Sequence, residues 1–80
     1  NSAAHYLLSQ YIDYKNDNNH HIEMENLLKN ETLENDNTIN FSFALGKAFE
    51  EKNDYEKSYN FYKVANDIKR KLFNSTTIFE

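Results

Sequence analysis

An all-α fold of stacked antiparallel helical hairpins, about four helices in all, is what this sequence predicts. Three observations carry that expectation. The chain has no Pro and a single Gly, so little in it breaks a helix. Apolar residues recur at spacings of three and four through most of its length, the period of one helical face. Asn and Asp gather between those stretches, where they hydrogen-bond their own backbone and tolerate the conformations that turns need.

Eighty residues make one small domain, 1–80, and a chain of that size buries only about 60% of the surface its unfolded form exposes. It has no Cys, so neither disulfides nor thiolate-bound metal support the fold. The core must come from aliphatic side chains and the six Phe and six Tyr. No apolar run approaches the ~20 residues of a membrane helix, and the first residues lack a signal-peptide pattern. The expectation is a soluble, cytoplasmic protein without a membrane partner. A net charge of −4 argues against nucleic acid, whose binding rests on neutralising phosphates. Glycosylation sequons at Asn30, Asn40 and Asn74 follow from the abundance of Asn. The chain starts on Asn, and residues 75–80 read as the start of a further helix, with Thr77 and Glu80 at capping-box spacing. It reads as a piece of a longer protein.

Ser2 is placed to cap a first helix whose stripe is Tyr6, Leu7, Gln10, Tyr11 and Tyr14, widened by Leu8 and Ile12. The run Lys15 to Asn19 ends it. Ile22, Met24, Leu27 and Leu28 mark a second helix from about His20 to Lys29, too short to stand alone. Residues 2–29 therefore form a packing hairpin. Asn30 to Asn37 is a loop whose Leu33 can plug a gap, and Asp36 is placed to cap the third helix. There Phe41, Ala44, Leu45, Ala48 and Phe49 complete an apolar face, and Ile39 and Phe43 add a second, so neighbours are expected on both sides. Gly46 costs about 1 kcal/mol relative to Ala in a helix. That cost is tolerable where another helix comes close.

Asn53 stands where the third helix should stop, in the left-handed position Asn shares with Gly. Asp54 or Asn53 then caps the fourth helix. Tyr55, Ser58, Tyr62 and Ala65 give it one face, and Phe61, Val64, Ile68 and Leu72 an adjacent one, to about Phe73. Lys69, Arg70 and Lys71 complement the dipole of its last turns, and Asn74 is the stop.

Leu45-Gly46, Ala48, Phe49, the Asp54-Tyr55 turn, Ser58, Tyr62 and Ala65 fall at the signature spacings of the tetratricopeptide repeat, which residues 36–73 resemble. The resemblance implies a helical hairpin in which small residues let the helices approach and Phe49 and Tyr62 fill the space between turns. Ser42 stands where that family has a large aromatic and Arg70 where it has proline, as in a terminal or atypical repeat. One repeat length earlier the match is poor, so the first hairpin is degenerate. More narrowly, HIEMENLL, a polar loop and FALGKAFEEKNDYEKSYNFYKVANDIKR resemble the region preceding the catalytic domain in bacterial tetratricopeptide-repeat sulfotransferases. That likeness covers His5 to Phe73. It implies an arm that selects substrate or docks a domain, without chemistry of its own, since no glycine-rich donor loop is present.

His21 and Glu25 share a helical face, and His20, Glu23 and His5 are further candidate ligands. Two ligands on one face are too few, and a solvated helix start is the expected reading. No metal or cofactor is expected. Lys69-Arg70-Lys71 suits a helix C-terminus better than a phosphate, and no carboxylate lies on an apolar face where burial would tune it for acid-base work. No catalytic residue is assigned. The tyrosines are assigned to packing more than to recognition. The resemblance implies a partner-binding face of Asn40, Phe43, Lys47, Glu50 and Glu51, set on a repeat packed through Leu45, Gly46, Ala48, Phe49, Tyr55, Ser58, Tyr62 and Ala65. The expected function is a non-catalytic interaction module binding a peptide or a neighbouring domain. Self-association through Ile39, Phe61 or Phe73 is a further expectation, because a repeat stack has apolar ends.

Overall fold

A computed structural model describes residues 2–30 and 34–77 as four helices, α1 (Ser2–Ser9), α2 (Asn19–Asn30), α3 (Asn35–Glu51) and α4 (Tyr55–Thr77). The described residues contain no strand, so the expected all-α class is the one observed. Helix α3 carries the principal contacts to each of the other three. Two apolar faces on one helix require this, since each must be covered. Phe41, Ala44, Leu45, Ala48 and Phe49 join Tyr14 and Met24 in one buried cluster, with Tyr6, Ile12, Leu27, Leu28 and Phe61 packed against it. Burial of each large apolar side chain stabilises the fold by about 1.5–3 kcal/mol.

The turn between α3 and α4 follows its sequence closely. Asn53 has φ 65°, the left-handed conformation that ends a helix. The Asp54 N–H then reaches back to the Phe49 carbonyl at 2.9 Å, and the Asp54 carboxylate accepts from the Lys57 N–H at 3.3 Å. Reversal within three residues lays α4 antiparallel along α3. Their close approach centres on Gly46. A Cβ built there would lie 2.6 to 2.9 Å from the Tyr62 ring, and the Ser58 hydroxyl donates to the Gly46 carbonyl at 2.7 Å. Only a residue without a side chain leaves room for that ring.

Several boundaries differ from the sequence reading. Helix α1 stops at Ser9 rather than near Tyr14, and Leu7, Leu8 and Tyr11 lie exposed. Ser2 belongs to α1 itself and donates across to the Asn37 side chain. Tyr14 turns inward and is fully buried. The Asp13 carboxylate holds the intervening turn, accepting from the Lys15 N–H and the Asn16 amide. Asp17 caps α2, accepting from the N–H groups of Asn19 and His20 at 2.8 and 3.1 Å. Those bonds hold its carboxyl below the usual range.

Helix α3 begins at Asn35 with Glu34 before it and no side-chain cap, so Asp36 sits in the first turn instead. Its charge there still favours the positive end of the helix dipole. Helix α4 runs through Asn74 to Thr77, so Asn74 is not the stop. Residues 75–77 thus continue α4, while Leu33 and residues 78–80 lie outside the described residues. No described helix is long and apolar enough to cross a membrane.

Ser42, where the repeat pattern has an aromatic, is fully buried, and its hydroxyl has no hydrogen-bond partner. A buried hydroxyl left unpaired costs roughly 1–3 kcal/mol. Ser42→Ala is therefore expected to preserve or raise stability by up to about 1 kcal/mol, read as an unchanged or higher urea midpoint. A clear loss would show that the hydroxyl is paired.

Candidate functional site

Helix α3 sets out the expected partner-binding residues in one line, but the packing around it divides them. Asn40 is tied to the start of α1, its side-chain amide donating to the Ser2 hydroxyl at 3.1 Å. Phe43 is half-buried, tilted against Tyr62, with Lys69 Nζ 5.5 Å from its ring centre. Lys47 bonds Glu51 at 2.5 Å and lies 5.3 Å from the Tyr14 ring centre. Glu51 also accepts from the Tyr14 N–H at 2.9 Å. Burial raises the Glu51 pKa, but the bonds from Lys47 and Tyr14 outweigh it, and the carboxyl titrates below its ordinary range. Glu50 is exposed and accepts from the Tyr62 hydroxyl. Burial, with Glu50 adding to it, pushes that phenol up to about 12.

Lys47 and Glu51 thus fasten the segment after α1 to α3, while Asn40 and Phe43 lie toward the other end of the helix. Of the expected packing residues, Leu45, Gly46, Ala48, Phe49, Ser58 and Ala65 are buried and Tyr62 half-buried. Tyr55 is 64% exposed, its hydroxyl on Asn53.

At the α3 start an open cleft of about 480 Å³ is lined by Asp36, Ile39, Asn40, Lys69 and Leu72. The geometry follows from the hairpin. Antiparallel pairing around Asn53 brings the first turns of α3 alongside the last third of α4. Asp36, Ile39 and Asn40 are neighbours on one face of α3, and Lys69 and Leu72 stand one turn apart on α4. The result is an apolar pair, Ile39 and Leu72, with an acidic and a basic side chain beside it. The sequence reading missed Lys69 and Leu72 here, taking the first as a dipole partner and the second as packing. The available signal was the second apolar face of α3, which asks for a partner beyond the hairpin core. A second open cleft, about 260 Å³, lies between α2 and α4 and is lined by Glu25, Lys57, Asn60, Phe61 and Val64.

A third constellation, partly buried, lies where α1 meets α2. His5 Nδ1 is 3.0 Å from His20 Nε2, and His20 Nδ1 is 2.7 Å from the Tyr14 hydroxyl. His5 Nε2 faces the Glu23 carboxylate at 3.9 Å. His5 stacks on His20 and leans on Phe41 of α3. His21 pairs instead with Glu25 at 2.9 Å and meets the edge of Phe49. The described residues form no group of three or more His, Cys, Asp or Glu arranged to hold a metal ion.

No protein-family model matches this chain, and neither curated proteins nor solved structures give a match.

Proposed function

We propose that this chain is a non-catalytic helical interaction module of tetratricopeptide type that binds a peptide segment in the cleft between the start of α3 and the end of α4. The observation that carries the reading is the composition of that cleft: Ile39 and Leu72 with Asp36 and Lys69 beside them. Such a surface suits an apolar side chain flanked by a cation for Asp36 and a carboxylate for Lys69. An apolar anchor gives most of the affinity of such contacts, and charges at the rim set orientation and specificity. The Asn40–Phe43 end of the expected face borders this cleft, whereas Lys47 and Glu51 act on the other side of α3.

The test uses short fluorescein-labelled peptides carrying a Leu flanked by Lys and Glu in both orders, with counterparts having Ser for the Leu. Anisotropy should show saturable binding of one order and loss of it without the Leu. Ile39→Asp and Leu72→Ala should each weaken binding about tenfold or more, equivalent to roughly 1.4 kcal/mol. Lys47→Ala should leave it unchanged. Equal affinity for wild type and both cleft variants, with the helical signal intact, sinks the reading.

A further inference from the structure

We propose that the stacked His5–His20 pair is an acid-sensitive latch that holds α1 on the body of the protein with room for one shared proton, and lets it go when a second proton binds.

The hydrogen-bond directions decide this. With both rings neutral, the Tyr14 hydroxyl donates to His20 Nδ1, His20 Nε2–H donates to His5 Nδ1, and His5 Nε2–H faces Glu23. The opposite tautomers would turn a lone pair of His5 toward the Glu23 carboxylate. One added proton is accommodated without breaking the chain: His5 Nδ1–H then donates to His20 Nε2, and His20 Nδ1–H to the Tyr14 oxygen. A second proton places two N–H groups head to head across 3.0 Å, with two like charges in a site where His20 is only 6% exposed. Like charges this close cannot both persist away from water. In the unfolded chain each ring takes a proton independently.

The surroundings do not relieve that conflict. Along α1 the charged member is His5 itself, and the following segment contributes Tyr14 and Asp17. From α2 come Glu23 and His21, both acting on His20 through space. Helix α3 sets Phe41 against His5, and its Lys47 and Glu51 lie on Tyr14. Burial first and His5 second lower the His20 pKa from its ordinary 6.5, and Glu23 and Asp17 do not reverse the shift. A lowered folded pKa means that the unfolded state binds more protons. The stabilisation is therefore complete above about 6.5 and is lost as pH falls below it, by up to tenfold in the opening equilibrium per pH unit for one proton. The segment after α1 is fastened separately by Glu51, whose carboxyl stays ionised to lower pH. Acidification should thus free Ser2–Ser9 first and uncover the Phe41 side of α3.

Hydrogen exchange of the α1 amides, corrected for intrinsic rates, tests this between pH 7.5 and 5.0. Exchange should accelerate by up to tenfold per pH unit below about 6.5, while α3 amides keep their protection. His5→Phe should reduce the acceleration to the part that burial of His20 alone supplies, since the ring still packs on Phe41 but takes no proton; His21→Gln should retain it in full. Constant α1 protection, an acceleration undiminished by His5→Phe, or equal loss in α3 overturns the proposal. If His5→Phe does not fold, the wild-type imidazole proton signals decide. His20 must titrate over the range in which α1 opens, and titration without opening overturns the latch.

Discussion

Phe49→Ala is expected to lower the unfolding free energy by about 3–5 kcal/mol, the range for deleting a buried aromatic ring. Phe49 is 5% exposed and touches two neighbouring helices at once. It stacks on Phe61 of α4 at 5.7 Å, meets His21 of α2 edge-on at 5.3 Å, and lies under Lys57. Small domains have on the order of 5–15 kcal/mol in total. Removal of this ring should therefore leave a substantial unfolded fraction, seen as a fall in urea midpoint with little change in slope. A loss below about 1 kcal/mol would mean that α2 and α4 do not meet across this ring.

Gly46→Leu is expected to destabilise by roughly 1–3 kcal/mol or more, the cost of overpacking, because its Cβ alone would collide with the Tyr62 ring. Gly46→Ala is the finer probe. Helix propensity favours Ala by about 1 kcal/mol, so at an open position the change would stabilise. Here the ring must swing away, giving up its contacts with Phe43 and Glu50, and a net loss is expected. In a Tyr62→Ala background the sign should reverse, with Gly46→Ala stabilising by up to about 1 kcal/mol. If Gly46→Ala stabilises with Tyr62 in place, the close approach of α3 and α4 is wrong.

The residues that make this hairpin also made it legible. Gly46 inside a strong helical pattern, Asn53 followed by Asp54, and small Ser58 and Ala65 each point to the same close pairing, and each has that use in the structure. Helix α1 was read less well for a physical reason. Its three- and four-residue periodicity runs on to Tyr14, but the helix ends at Ser9, whose hydroxyl bonds the Tyr6 carbonyl at 2.5 Å. What carries Tyr14 inward is tertiary: its hydroxyl on His20 and its N–H on Glu51, 37 residues away. Asp13 and Asp17 were the only local hints, and an Asn- and Asp-rich run does not say which residue starts the turn. Of the residues lining the cleft, Asn40 was among those the repeat pattern marked, whereas Phe43 is not part of the lining. Lys69 and Leu72 could not be placed there, because their meeting with the start of α3 depends on the register in which α3 pairs with α4.

Amide chemical-shift mapping with the Leu-containing peptide bears most directly on the claim that α3 and α4 together present a binding cleft. Saturable shifts should gather at Ile39, Asn40, Lys69 and Leu72, and leave Phe61, Val64 and the α1 amides in place. Shifts gathered instead along α2 and the Phe61–Val64 cleft, or no saturable shift for any of the peptides, would contradict it.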